Sequence, residues 1–264
     1  MKRGLRFKQV LSGAAQCALG AGGVLLFLAL WQFAGSSGWW PRALFPPPSD
    51  VGVALFDLFA TQNFAADVGA SLARVGLSFL IATAIALPLG LFMGAFAPIA
   101  AFLNPLVAAF RYLPATAFIP LFLMWLGAGE EQKIALLLVG VVFFLITLLM
   151  DNTRAVRTEL IETARTLGAN RRQILWTVVW RASLPAYVDT LRQMLAVSWT
   201  YLVVAEIVAT TDGIGAMMMR AKRFVHVDDI MAGIVVIGVL GLLFDGLFRV
   251  LHWRAFPYLR QVRN

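Results

Sequence analysis

Charged residues are scarce in this sequence: Asp, Glu, Lys and Arg make up 14% of its 264 residues, whereas 60% are hydrophobic. A mean hydropathy of +0.80 is too high for a water-soluble domain of this length, so composition predicts a membrane protein. Cys17 is the only cysteine, which excludes an internal disulfide. We interpret it as a small apolar residue of a helix.

Motifs for nucleotide hydrolysis and for metal binding are also missing. A phosphate-binding loop needs a lysine directly after a glycine, and no lysine in this chain follows a glycine. His226 and His252 lie in different segments, with no HExxH pair to hold a metal. We therefore predict that the chain is not an enzyme, has no catalytic residue or metal site, and binds no cofactor itself.

The formal net charge of +8 raises the question of nucleic-acid binding. The basic residues, however, lie beside apolar spans rather than along one face with aromatic residues, which is typical of the cytoplasmic segments of membrane proteins. This distribution predicts no nucleic-acid partner and places both termini and residues 151–185 in the cytoplasm. The basic residues in the segments assigned to the outside are only Arg42, Lys133, Arg220, Lys222 and Arg223.

Apolar runs predict six membrane helices within a single domain, residues 1–264. The predicted spans are residues 10–33, 71–96, 102–125, 134–150, 187–209 and 230–251. The first run follows a basic segment, residues 1–8, and is long enough to cross a bilayer, so we interpret it as a retained span rather than a signal peptide. Residues 127–133 are expected to form an outer turn.

Two further local features follow from the pattern. Ser49 and Asp50 predict the start of a short amphipathic helix, through Phe59, that lies along the outer membrane surface. Proline removes a backbone donor from a helix, so we expect bends inside the spans at three positions. These are Pro88, Pro114 and Pro120.

Residues 159–185 form the one long polar segment in the chain. An apolar stripe is predicted on one side of a short helix there, formed by Leu160, Ile161, Ala164 and Leu167. Gly168 is expected to end this helix in a left-handed conformation, and Asn170 to begin a second helix. A glycine elbow between two helices, with an exposed apolar stripe, indicates a docking surface.

This segment resembles the membrane-spanning permease subunits of bacterial ABC importers, whose cytoplasmic loop carries Glu-Ala-Ala, three residues and Gly. Here the pattern is Glu162-Thr163-Ala164 and Gly168, followed by Leu184-Pro185. Thr163 replaces the middle alanine, and Trp180-Arg181 stands where many members have an earlier Leu-Pro. Four other segments resemble the group of these permeases that imports nitrate, sulfonates, taurine and related molecules. They are Phe45-Pro46-Pro47-Pro48-Ser49, Ile119-Pro120-Leu121, Trp125-Leu126-Gly127 and residues 203–215.

The resemblance implies an all-α polytopic bundle with the type I ABC importer permease fold, located in the bacterial inner membrane. The implied partners are a second copy of the permease, two cytoplasmic ATPase subunits that bind ATP and Mg, and a periplasmic or lipid-anchored substrate-binding protein. The implied ATPase-coupling residues are Leu160, Ile161, Glu162, Ala164, Arg165, Leu167 and Gly168.

Two other classes of function stay open from the residues alone. One is an ion-coupled secondary transporter or channel without ATPase partners, which should show paired half-molecule repeats with acidic residues at the bilayer midplane. The other is an intramembrane enzyme, which should show a clustered nucleophile or metal set. The sequence shows neither signature, and the resemblance favours an ATP-driven importer of a small anion such as nitrate, bicarbonate, a sulfonate or taurine.

Arg111 lies inside the third predicted span, whose helix contains no acidic residue. Its side chain either extends to the inner interface or pairs with another helix, or it faces a water-filled pathway near a twofold axis and attracts a small anion. The predicted pathway residues are Arg111, Tyr112, Thr116, Trp199 and Thr200.

Arg192 and Asp245 are predicted to form an ion pair, because they lie at similar depths in the fifth and sixth spans. Glu206 lies about 21 Å farther along the helix of Arg192, which excludes it as the partner. Arg249, one turn beyond Asp245, competes for the same carboxylate.

Overall fold

The computed structural model describes residues 12–208 and 211–258, and within these residues the chain is helical with no β-strand. The basic segment at residues 1–8 lies outside the described residues. The chain divides into two compact units. One comprises Met1–Gln62 with Ala221–Ala232, and the other comprises Asn63–Arg220 with Gly233–Asn264.

The helices of the described residues vary in length from three residues to 32. In chain order they are α1 (Gly13–Ser36), α2 (Pro48–Thr61), α3 (Phe64–Ala95), α4 (Ala97–Tyr112), α5 (Ile119–Leu126, after a 3-10 turn at Ala115–Phe118), α6 (Glu130–Arg154), α7 (Thr158–Thr166), α8 (Arg171–Gln173, continued by a π-helical turn at Ile174–Val179), α9 (Trp180–Val208), α10 (Ile214–Arg223) and α11 (Val227–Ala255).

Five helical stretches are long and apolar enough to cross a membrane, and the bent pair α4 and α5 makes a sixth if it counts as one span. Several spans begin earlier than the hydropathy pattern predicts. α6 begins at Glu130, so the predicted outer turn over residues 127–133 is wrong at its C-terminal half, and Lys133 is buried in the helix. Carboxylates in the first turn of a helix favour such extensions, because they face the positive end of the helix dipole.

The third predicted span is not one continuous helix. α4 and the Ala115–Leu126 stretch meet at an angle of 85°. Leu113, which precedes Pro114, has extended backbone angles (φ −77°, ψ 128°), as expected for a residue before proline. Pro114 therefore breaks the helix, whereas α3 continues through Pro88 and Pro120 lies in the first turn of α5.

The first unit joins α1 to α2 through a stiff, proline-containing connection. The indole nitrogen of Trp31 donates a hydrogen bond to the carbonyl of Pro46 at 3.1 Å, and Gly35 lies against the Pro47 backbone. Arg42 makes a bidentate ion pair with Asp50 at 2.6 and 2.7 Å, which lowers the pKa of that carboxylate. The predicted amphipathic helix is α2.

The second unit is built around α3, α6 and α9. α3 and α6 run parallel, because Arg74 meets Glu130 near their first turns while Gly90 meets Leu149 near their ends. A Cβ atom on Gly90 would lie 2.6 Å from the Cβ of Leu149, so only glycine allows the two helices to approach this closely. α9 runs antiparallel to both helices. We call the end that carries α7 the loop end, and the end that carries Arg74 the far end.

The fifth predicted span begins earlier than residue 187. The helix that starts at Arg171 passes through the π-helical turn and Pro185 without interruption and ends at Val208. The non-helical parts of the predicted loop are therefore short, at residues 155–157 and 167–170. The loop helix α8 is therefore continuous with the membrane-crossing helix α9.

Candidate functional site

The elbow between α7 and α8 has the geometry that its sequence predicts. Gly168 has φ +82°, in the left-handed region. The N–H of Gly168 donates to the carbonyl of Arg165 at 2.9 Å, and the N–H of Ala169 donates to that of Ala164 at 3.0 Å, which is the Schellman pattern of a helix end. Asn170 and Gln173 then cap α8 reciprocally, which fixes the direction of the second helix.

The apolar residues of α7 do not form one exposed stripe, and that prediction is wrong. Ile161 and Ala164 pack against a buried cluster that includes Leu91, Ile174 and Leu175. Leu160 and Leu167, by contrast, remain 45% and 82% exposed. The four residues have different angular positions around α7, so they divide between two sides of the helix. The inner side anchors α7 to the bundle, while the outer side stays available to a partner.

The charged residues of α7 lie on its accessible sides. Glu162 is exposed and forms no ion pair within the described residues. Glu159 accepts a hydrogen bond from its own backbone N–H and one from Arg157 at 3.3 Å, and both lower the pKa of its carboxylate. α7 therefore offers a partner one anionic side chain, Glu162, that is not already engaged.

The break between α4 and α5 places three of the predicted pathway residues together. Arg111 and Tyr112 end α4, and Thr116 follows in the 3-10 turn. The Arg111 guanidinium lies 5.3 Å from the centroid of the exposed Tyr112 ring. It forms no ion pair within the part of the chain that the structure describes, so pairing with another helix, one of the interpretations given above, has no support there.

Trp199 and Thr200 lie at a different place in the unit. They line a cavity of about 810 Å³ whose other lining residues come from α9, α10 and α11. The surface of this cavity is mainly apolar, and its one ionisable lining residue is Asp245. A mainly apolar lining offers few hydrogen-bond donors to a small anion, so within the single chain this cavity is a poorer anion site than the helix break at Arg111.

Arg192 and Asp245 lie close together, with Nε of Arg192 3.6 Å from Oδ1 of Asp245. Arg249 is nearer, since its Nε lies 2.7 Å from Oδ2 of the same carboxylate. Arg192 also approaches Asp189 at 3.8 Å. Asp245 is thus shared between two guanidiniums, and that of Arg249 makes the shorter contact.

A double-mutant cycle measures how this carboxylate divides its interaction. We expect Asp245→Asn with Arg192→Ala to show a coupling of about 0.5 kcal/mol, because both side chains are partly exposed and their atoms are beyond hydrogen-bond distance. The matched cycle of Asp245→Asn with Arg249→Ala should give the larger value. Thermal unfolding of the purified chain measures both coupling energies. A larger coupling energy for Arg192 than for Arg249 would contradict this geometry.

Sequence reasoning missed the largest charged cluster, which lies at the far end. Arg74 is 2% exposed and is bonded to Glu206 at 2.6 Å, to Glu130 at 2.7 Å and to the side chain of Asp212 at 2.7 Å. The side chain of Glu206 is 0% exposed. The sequence does contain one indication of this cluster. Arg74 and Glu206 both lie inside predicted spans, where an ionisable side chain needs a partner because a lone charge in a bilayer is costly.

Backbone groups of the 211–215 segment complete this cluster. Glu206 accepts hydrogen bonds from Ser71 Oγ at 2.7 Å and from the Gly215 N–H at 2.8 Å. Gly213 has φ +104°, and a Cβ atom there would lie 2.6 Å from Cδ of Glu206. The cluster therefore ties this segment to α3 and α9, and it needs glycine where the backbone passes the buried carboxylate.

One group of possible metal ligands occurs among the described residues. Ligand atoms of His226, Asp228 and Asp229 lie within 4.8 Å of one another. The two carboxylates belong to the first turn of α11, and His226 contacts Asp229 at 3.6 Å. Helix capping explains this arrangement without a metal.

A family model described as a binding-protein-dependent transport system inner membrane component matches residues 86–256. The taurine transport system permease protein TauC of Escherichia coli (strain K12) is 30% identical over 266 residues, covering 99% of this chain and 96% of that protein. The bicarbonate transport system permease protein CmpB of Synechococcus elongatus is 28% identical, covering 97% and 94%. An inward-facing structure of the MetNI methionine ABC transporter aligns with a TM-score of 0.65 at 22% identity, covering 73% of this chain and 95% of that one.

Proposed function

The chain belongs to the binding-protein-dependent inner membrane components of ABC importers, in the nitrate, sulfonate and taurine group, and we propose that it forms the translocation pathway for a small anion. Two copies would assemble with two cytoplasmic ATPase subunits in the bacterial inner membrane. ATP and Mg are bound by those subunits and not by this chain. A substrate-binding protein delivers the solute from the outside.

Coupling through α7 is the part of this proposal that the geometry supports best. Ile161 and Ala164 fix the helix to the bundle, while Leu160, Glu162 and Leu167 remain accessible to an ATPase. Because α8 continues into α9 without a break, a displacement of the loop is passed directly to a membrane-crossing helix. ATPase closure would in this way switch the pathway between outward-facing and inward-facing arrangements.

Anion selection is assigned to Arg111. Its guanidinium lies at a broken span, half-buried and without an ion-pair partner among the described residues. Broken spans are frequent at the binding sites of transporters, because their free helix ends present polar backbone groups inside the membrane. The names of the relatives TauC and CmpB refer to taurine and bicarbonate, which carry anionic groups.

Substitution of Arg111 tests this assignment. We expect Arg111→Gln to reduce anion uptake about tenfold or more per assembled transporter, because a charge-assisted contact to the solute is lost. Arg111→Lys, the charge-conserving control, should retain more uptake than Arg111→Gln. Uptake into proteoliposomes is normalised to assembled complex, and unchanged normalised uptake for Arg111→Gln would remove this residue from the pathway.

A further inference from the structure

A cavity with basic lining residues lies at the loop end, on the bundle side of α7. Its volume is about 380 Å³, and it is bounded by the ends of α3 and α6 and by the two loop helices. Three elements each supply one arginine to its lining, namely Arg154 of α6, Arg165 of α7 and Arg171 of α8. No carboxylate belongs to the lining among the described residues. The charged lining residues of this cavity are thus three arginines from three different helices.

Neighbouring carboxylates compensate little of this charge. Asp151 approaches Arg154 only to 4.0 Å. Arg165 and Arg171 form no ion pair within the described ranges, and Glu159 is already engaged by Arg157. The loop end therefore holds uncompensated positive charge around a concave space.

Part of the cavity lining is apolar. It includes Ile161, Ile174, Leu175 and Val179, and the last three are buried. The hydroxyl-bearing Thr158 also belongs to the lining. A lining that combines apolar side chains with three arginines suits a headgroup-sized anion that carries an apolar substituent.

We propose that this cavity binds a phosphate-type anion, either the headgroup of an anionic phospholipid or free phosphate. Guanidinium forks match phosphate oxygens in bidentate geometry, and basic pockets between membrane helices on the cytoplasmic side suit lipid headgroups. A bound anion would join α6, α7 and α8 through the three arginines. Occupancy therefore stiffens the attachment of α7 to the bundle, whichever solute the protein transports.

Native mass spectrometry of the purified full-length chain tests the site. We expect phosphatidylglycerol to be retained in preference to phosphatidylcholine, with about one tightly bound molecule per chain. Arg171→Gln should weaken this retention about tenfold, because one fork to the phosphate is lost. Equal retention of both lipids, together with no binding of inorganic phosphate, would overturn the proposal.

A matched variant separates the cavity from general surface charge. Arg172→Gln removes the same charge from the same loop, but Arg172 does not line the cavity. It should leave phosphatidylglycerol retention unchanged within about twofold. A loss in this variant equal to that of Arg171→Gln would show non-specific attraction and overturn the site.

Competition on the unaltered chain distinguishes the two sources of the anion and does not depend on any variant folding. Displacement of phosphatidylglycerol by inorganic phosphate, but not by chloride at the same ionic strength, supports a site that accepts free phosphate as well. Retention that resists phosphate while preferring phosphatidylglycerol to phosphatidylcholine supports the lipid headgroup alone. Displacement by chloride and phosphate alike would overturn specific recognition.

Discussion

We expect the Arg74→Met chain to lose about 3–5 kcal/mol of folding free energy, since breaking a buried ion pair by removing one partner is strongly destabilising. The group that loses its ion pair with Arg74 is Glu206, whose side chain is 0% exposed and which also accepts hydrogen bonds from Ser71 and the Gly215 N–H. Denaturant titration of the purified chain, followed by circular dichroism, measures the loss.

Arg220→Met is the matched control for this prediction. Arg220 also bonds a carboxylate at the far end, Asp67 at 2.5 Å, but its side chain is 48% exposed. This pair is less buried than that of Arg74 with Glu206, although the Asp67 side chain is only 11% exposed, so its loss should cost less than the loss of Arg74. Equal losses for the two variants would contradict the role given to burial.

A double variant identifies the cause of the Arg74→Met defect. Glu206→Gln removes the charge, and its single amide oxygen can still accept one of the hydrogen bonds that the two carboxylate oxygens accept from Ser71 and Gly215. Added to Arg74→Met, it should restore part of the lost stability, because burying a neutral amide costs less than burying a carboxylate that has lost its ion pair with Arg74. If the two losses simply add, the buried charge of Glu206 is not what destabilises the single variant.

The loop elbow could be predicted from the sequence because all its signals are local. Gly168 follows the last apolar residue of a short helix, and Asn170 stands three residues before Gln173, which is the spacing of a reciprocal cap. Such signals act within a few residues and do not depend on tertiary packing. The helix ends at 166 and 171 follow directly from them.

Features that depend on distant residues were not predictable in the same way. Arg74 and Glu206 are separated by 132 positions, and nothing local indicates that parallel α3 and antiparallel α9 bring them together. The spacing of α7 likewise gives an apolar stripe but not the neighbours against which the partly buried Ile161 packs. At Pro114 a bend was predictable, but the 85° angle depends on how α5 packs.

In the assembled transporter proposed above, we expect Gly168→Val to reduce uptake and solute-stimulated ATP hydrolysis together, by about tenfold. The left-handed conformation at φ +82° costs a β-branched residue roughly 1–2 kcal/mol or more of local strain. An added Cβ atom meets nothing within 4 Å, so the strain arises in the backbone and not from a clash. The elbow would shift and misalign α7, while the membrane helices stay folded.

Two substitutions make this prediction specific to the left-handed elbow. Gly168→Asn should retain most of the coupled activity, because asparagine tolerates the left-handed region. Gly129→Val places the same side chain in open space at a helix start with φ −90°, where no such strain arises, and should leave both rates close to those of the unaltered chain. Both rates are measured in proteoliposomes at equal amounts of assembled complex. Normal uptake by Gly168→Val, or an equal loss in Gly168→Asn, would refute the coupling role of this glycine.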